Sequence, residues 1–151
     1  MPRMFGTDGV RGLANRDITP HLALELGEAA ARYVARSSNG SGSRPRAIIG
    51  RDTRLSGEFL DHALAAGLAA AGMDVTRIGV ATTPMVAHLT ATENVELGAM
   101  ISASHNPMPD NGIKFFAHGG FKLEDRVEDT IERLIGEPWE RPVGEAVGEI
   151  E

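Results

Sequence analysis

The sequence predicts an α/β chain: a layered α/β/α domain with a mixed, mostly parallel sheet. Three observations point there. Short apolar runs alternate with amphipathic stretches of helical length, as they do when helices cover a sheet. The runs are too short for helices and are bounded by glycine or polar residues. Two of them lead into charged, Gly- or Pro-rich loops, as in open sheets whose ligands sit beyond the strand ends.

The elements follow in order. After a Gly-punctuated start from Phe5 to Gly12, Thr19 and Pro20 read as an N-cap and first helical residue. Proline's missing N–H costs nothing in a first turn. Leu22, Leu26, Ala30, Tyr33 and Val34 then share one helical face. That helix is expected to end before Ser37-Ser38-Asn39-Gly40-Ser41-Gly42-Ser43, which buries almost nothing and reads as a mobile surface loop.

Residues 47–50 suit a buried strand. Ser56 is placed to cap a second helix, with Leu60, Leu64, Leu68 and Ala71 on one face and Gly72 just past its end. Residues 75–80 make a second strand. Thr83-Pro84 repeats the cap-plus-proline start for a short helix through Leu89. Residues 97–101 and 113–116 make the third and fourth strands, and a last helix carries Val127, Ile131 and Leu134. The third and fourth strands are joined too closely for a parallel crossover, so that pair is predicted antiparallel. Residues 1–136 read as one domain. Residues 137–151, with Pro138, Pro142 and no period, read as a linker toward a further domain.

At 151 residues, 42% hydrophobic and 24% charged, the chain has the length and composition of one globular domain. A formal charge of −6 weighs against a nucleic-acid partner. Without cysteine there is no disulfide, thiolate nucleophile or Cys-ligated zinc. No apolar run suggests a signal peptide or a membrane span, which makes the cytoplasm the default expectation.

Chemistry concentrates in three polar loops: Gly6-Thr7-Asp8-Gly9-Val10-Arg11-Gly12, Gly50-Arg51-Asp52-Thr53-Arg54-Leu55-Ser56-Gly57, and residues 102–111. Pro107 and Pro109 make the third a stiff turn that presents Ser102, Ser104 and His105. A serine hydroxyl needs a base or strong positive potential to exchange phosphoryl groups. His105 is adjacent, and Lys114, Arg11 and Arg54 supply positive charge if the loops converge. The plainer reading is that both serines only cap backbone groups in a proline turn. For the first loop the alternatives are a phosphate cradle with Arg11 as forked donor, or a tight hairpin held by an Asp8–Arg11 pair. For the second they are an anion site at a helix start, or arginines neutralised by Asp52. Lys114 alternates with Ile113 and Phe115, so it points away from the core those residues face. His21, His62, His88 and His118 lack ligand spacing, and Asp8, Asp52 and Asp110 are isolated in sequence.

Together these loops resemble the α-D-phosphohexomutases. Phe5-Gly6-Thr7-Asp8-Gly9-Val10-Arg11-Gly12, Ile101-Ser102-Ala103-Ser104-His105-Asn106-Pro107 and Asp110-Asn111-Gly112-Ile113-Lys114-Phe115-Phe116 are most similar to the phosphoglucosamine mutase branch. The resemblance runs from residue 5 to about 135, with the loops in family order. It implies that Ser104, rather than Ser102, carries a phosphoryl group, with Ser102 shaping the loop. It also implies interconversion of glucosamine 6-phosphate and glucosamine 1-phosphate through a 1,6-bisphosphate, with Mg2+ on the phosphate of Ser104. Arg11 and Lys114 match residues that contact the transferring group and assist proton transfer, and His105 matches one near the sugar hydroxyls. The family's Asp-Gly-Asp-x-Asp-Arg metal loop, sugar-recognition loop and C-terminal phosphate loop are missing here. The expectation is therefore a first domain, inactive or nearly so alone, whose partners are a hexosamine phosphate and the remaining domains. Glucose or mannose phosphates as substrates, a non-catalytic sugar-phosphate-binding module, and an assembly domain are the alternatives.

Overall fold

The computed structural model describes residues 2–38 and 42–151. It holds β1 (Val10–Leu13), α1 (Pro20–Ser37), β2 (Arg46–Arg51), α2 (Leu55–Ala70), β3 (Asp74–Val80), α3 (Thr83–Thr92), β4 (Leu97–Ile101), β5 (Asp110–Ala117) and α4 (Asp125–Leu134). The strands form one sheet in the order β1-β5-β4-β2-β3. β2 lies parallel to β3 and β4, whereas β5 is antiparallel to both β4 and β1. Four strands therefore point one way and β5 alone runs back, as the short link between the third and fourth predicted strands requires. The Gly-punctuated start supplies β1, which its hydropathy does not announce.

Side-chain alternation divides the core between the two faces of the sheet. Ile49, Ala99, Ile101, Ile113 and Phe115 face α1, α2 and α4 in the main core. Met100 and Phe116 face α3, where Val86 completes a smaller cluster. Lys114 pairs with Met100 across the β4–β5 ladder and shares this thinner side, as alternation predicts. α1 and α2 meet at two glycines. A methyl built on Gly27 would lie 2.6 Å from the Leu64 carbonyl oxygen, and one on Gly67 would lie 2.2 Å from that of Leu24.

Two helix starts differ from expectation. α2 begins two residues earlier than a Ser56 cap would allow: Arg54 is its N-cap, with no side-chain cap bond. Ser56 is drawn elsewhere, its hydroxyl accepting from Asn111 Nδ2 at 2.9 Å. α3 is capped by Thr82 rather than Thr83, the Thr82 hydroxyl accepting from the Met85 N–H. Pro84 then sits second in the first turn, where N–H groups still lack helical partners. α3 also runs past Leu89 to Thr92, and β5 extends beyond residues 113–116 at both ends. The α1 cap is as predicted, with Thr19 accepting from Leu22 at 3.0 Å. Gly72, at φ +100°, follows the end of α2. α1 includes Ser37; of the stretch read as a mobile loop, residues 39–41 lie outside the described residues.

The segment after Gly136 has no helix or strand beyond one 3-10 turn at Gly144–Ala146, yet it is packed. Trp139 lies between the guanidinium groups of Arg32 and Arg141, 4.8 and 4.6 Å from its ring centroid. Burial, and then the neighbouring Arg36, pull the Arg32 pKa below that of an ordinary arginine. Further on, Glu149 and Glu151 exchange backbone hydrogen bonds with Val75 and Arg77 along the outer edge of β3.

Candidate active site

β2 and β4 are parallel neighbours that end together, Arg51 opposite Ile101. The ladder continues one residue further, with Asp52 N–H donating to the Ile101 carbonyl. Asp52 and Ser102 therefore leave the sheet side by side, and the Ser102 hydroxyl donates to Asp52 Oδ2 at 2.7 Å. β1 joins them through β5: Arg11 pairs with Gly112, whose carbonyl accepts from Ser102 N–H at 3.0 Å. Gly112 is the crossing point. A methyl there would lie 2.7 Å from Arg11 Cγ and 2.9 Å from the Ser102 carbonyl oxygen. The three loops singled out in the sequence do converge, at the carboxyl ends of the parallel strands.

Ser104 stands on the rim of this crossing, exposed, at φ +54°. For a residue with a side chain this left-handed conformation is strained. Its N–H donates to the Ser102 hydroxyl at 3.0 Å, and its own Oγ lies 3.3 Å from His105 Nδ1. Ala103 beside it is fully buried and anchors the turn. The prolines act as expected. Asp110 N–H closes a turn onto the Pro107 carbonyl, and Ala14 N–H ties the Pro109 carbonyl to the end of β1.

The cations are unequal. Arg11 has Asp8 as its nearest carboxylate, at 4.0 Å, and its buried Nε has no hydrogen-bond partner among the described residues. The first loop is thus a tight turn, Gly6 and Gly9 exchanging backbone bonds, with Arg11 only loosely paired to Asp8. Lys114 forms no ion pair among the described residues, and its ammonium lies 5.5 Å from the Phe116 ring centroid. No hydrogen bond among the described residues joins Arg11 or Lys114 to Ser104.

Arg54 is fully engaged, and Arg51 is ion-paired away from the serine loop. Arg54 Nε donates to Asp52 Oδ2 at 3.0 Å. Its Nη1 donates to the carbonyls of Pro107 (2.8 Å) and Asp110 (3.3 Å), and its Nη2 to those of Ser104 (2.9 Å) and Asn106 (3.0 Å). Arg51 turns away to Asp61, a carboxylate with no exposure on α2 that also binds Arg77. The Asp61 hydrogen bond raises the Arg77 pKa above the ordinary arginine value. The second loop is therefore the neutralised alternative, with Asp52 committed to Arg54. Sequence reasoning missed Asp61 and Arg77, and it missed Arg54 as a fixture of the serine loop. The available signal was Asp-Thr-Arg after a strand: Asp52 Oδ1 accepts the Arg54 N–H two residues on, an Asx turn.

A cleft of about 530 Å³ lies away from these loops, at the other end of β4 beside Tyr33, Leu97, Phe121 and Val127. It is mainly apolar, and none of the loop residues just described lines it. The serine loop, by contrast, lies on the open rim of the sheet.

Comparison with known proteins agrees with this layout. The family described as phosphoglucomutase/phosphomannomutase, alpha/beta/alpha domain I, matches residues 2–141. A phosphoglucosamine mutase of Bifidobacterium animalis subsp. lactis is 64% identical over 150 residues, 99% of this chain and 33% of that protein. One from Acidothermus cellulolyticus is 60% identical over 149 residues, 99% of this chain and 32% of its own length. The chain thus spans about a third of the relatives it matches. Among solved structures, a phosphoglucomutase/phosphomannomutase family protein of Burkholderia thailandensis superposes at TM-score 0.81 with 26% identity, over 99% of this chain and 32% of that one. Parafusin of Paramecium, a phosphoglucomutase, shares the fold at TM-score 0.76 with 20% identity, over 89% and 25%. On the match over residues 2–141, the chain belongs to the phosphoglucomutase/phosphomannomutase family and carries its alpha/beta/alpha domain I.

Proposed function

We propose that this chain is the phosphoserine-bearing first domain of a phosphoglucosamine mutase. The observation that carries the reading is the serine loop: both backbone polar groups of Ser104 are hydrogen-bonded, while among the described residues its exposed hydroxyl meets only His105. The substrate is assigned from relatives that bear that name at 60–64% identity. Residues 1–136 form the domain and 137–151 the connection onward.

In the proposed reaction, O1 of glucosamine 6-phosphate attacks the phosphorus on Ser104. The P–O1 bond forms as the P–Oγ bond breaks, and the O1 proton is lost while Oγ gains one. The 1,6-bisphosphate reorients, its 6-phosphoryl group returns to Ser104, and glucosamine 1-phosphate leaves. Such transfers depend on positioning and charge neutralisation more than on covalent chemistry. Arg11, whose carboxylate partner Asp8 stands as far off as 4.0 Å, and Lys114, without an ion pair among the described residues, supply the charge and assist proton movement. His105 faces the sugar hydroxyls.

Mg2+ would take the Ser104 phosphate and supply Lewis-acid charge neutralisation. Among the described residues no group of three acidic or histidine side chains is arranged to hold an ion, and Asp52 is spent on Arg54 and Ser102. The chain's own contribution would be that single phosphate, with the other ligands elsewhere in the polypeptide. Among the described residues no helix is long and apolar enough to cross a membrane; a cytoplasmic setting is part of the proposal.

Phosphopeptide mapping tests the reading. Ser104→Ala in the complete mutase is expected to remove the phosphoenzyme and Ser102→Ala to retain it, with the isolated chain showing little or no turnover. Phosphate on Ser102, or undiminished turnover by Ser104→Ala, refutes the assignment. Preference for glucose or mannose phosphate would move the substrate within the family. Reversible binding with a permanently unmodified serine would favour a binding module, and a partner-dependent association state independent of Ser104 would favour an assembly domain.

A further inference from the structure

We propose that Arg54 is a positioning residue that fixes Ser104 in its strained conformation, and that it does not contact the transferred phosphoryl group. The inference rests on the phosphoserine reading above, which it deepens. An arginine has five N–H donors. All five of Arg54's are used: one on Asp52 and four on the carbonyls of Ser104, Asn106, Pro107 and Asp110. The side chain is 9% exposed, and nothing is left to offer an anion.

The geometry explains why the guanidinium is needed. Four carbonyls from a seven-residue turn point at one centre, so their dipoles converge on a single spot. Only a cation there keeps them together. Asp52 holds the opposite edge of that cation and neutralises it, while also accepting the Ser102 hydroxyl. Ser102 in turn accepts the Ser104 N–H. The peptide N–H and C=O of Ser104 are thus tied to two arms of one network, Ser102 and Arg54, which meet at Asp52. This holds φ at +54° and leaves only Oγ free to move.

Lysine cannot substitute. Its three donors radiate from one tetrahedral nitrogen and cannot meet five acceptors spread around a planar fork. Without the clamp the backbone of Ser104 is expected to relax toward ordinary φ, moving Oγ away from its attack position. A misplacement of about 1 Å costs on the order of 100-fold in rate.

The test has two parts. In the 151-residue chain, NMR relaxation and amide exchange of residues 102–112 are compared for wild type, Arg54→Lys and Ser102→Ala. Both variants are expected to mobilise Ser104 and Asn106, with the sheet unchanged. In the complete mutase, Arg54→Lys is expected to lower kcat about 100-fold and Ser102→Ala about tenfold, with KM for glucosamine 6-phosphate unchanged. A loop that keeps wild-type order in Arg54→Lys overturns the proposal. So does a raised KM at constant kcat, which would make Arg54 an anion ligand. If Arg54→Lys fails to fold, Ser102→Ala decides, since it removes one bond at the rim. Ser104→Ala is the separate control. If it leaves turnover intact the mutase reading fails, while the NMR comparison still judges the clamp.

Discussion

Consider Gly67→Ala, a substitution that usually stabilises a helix. Gly67 lies inside α2, and replacing a helical glycine with alanine normally gains about 1 kcal/mol. Here the new methyl would lie 2.2 Å from the Leu24 carbonyl oxygen and 3.1 Å from the Glu28 nitrogen, both backbone atoms of α1. No rotamer relieves such a contact, so the two helices must separate, and Gly27 presses the same seam from the other side. Overpacking of this kind costs about 1–3 kcal/mol, and the intrinsic gain offsets part of it. A backbone contact as close as 2.2 Å belongs at the upper end of that range, so the expected net is a loss of about 2 kcal/mol, or a Tm lower by about 4–8 °C in a chain of this size. Gly57→Ala in the same helix is the comparison. Its methyl would meet first the Arg51 Cδ at 3.3 Å, part of a flexible side chain, so stability should change by no more than about 0.5 kcal/mol or rise slightly. Urea titrations followed by far-UV circular dichroism measure both. A Gly67→Ala protein as stable as wild type would refute the close-packed α1–α2 seam.

Two further outcomes follow from the structure. Asp61→Ala leaves Arg51 and Arg77 facing one another without their shared carboxylate, an expected loss of about 3 kcal/mol, at the low end for a broken buried pair because both arginines keep some exposure. Urea denaturation reads it, and a loss below about 1 kcal/mol would mean the pair contributes nothing. Ser104→Gly removes the strain of a side chain at φ +54° and should raise stability by about 0.5–1 kcal/mol while abolishing phosphorylation, as thermal melts and mass mapping would show. A destabilised Ser104→Gly protein would mean the left-handed turn carries no strain to release.

Much of the fold was legible because hydrophobic periodicity and helix-start chemistry are local. Thr19-Pro20 capped α1 as read, Gly72 closed α2, and residues 97–101 and 113–116 appeared as an antiparallel pair. The two misplaced caps show where local chemistry competes. Ser56 and Thr83 each stand at a suitable position, but Ser56 is claimed by Asn111, and Thr82 reaches the first-turn N–H groups ahead of Thr83. β1 was not evident because a four-residue strand that includes Arg11 and Gly12 has no apolar run to mark it.

By itself the sequence determined the alternation of helices and strands, the stiff proline turn, and the presence of hydroxyl, imidazole and cationic groups in three loops. Those features arise from residues a few positions apart, and φ/ψ preference and side-chain period act at that range. Only the tertiary structure decided which cations are free. Arg51, Arg54 and Arg11 look alike along the chain. Yet the first is held by a buried carboxylate on α2, the second by four carbonyls 50 to 56 residues away, and the third has, among the described residues, only Asp8 at 4.0 Å as an ion-pair partner. An arginine's availability depends on the acceptors that folding brings within about 3 Å of it, and one-dimensional spacing carries no record of them.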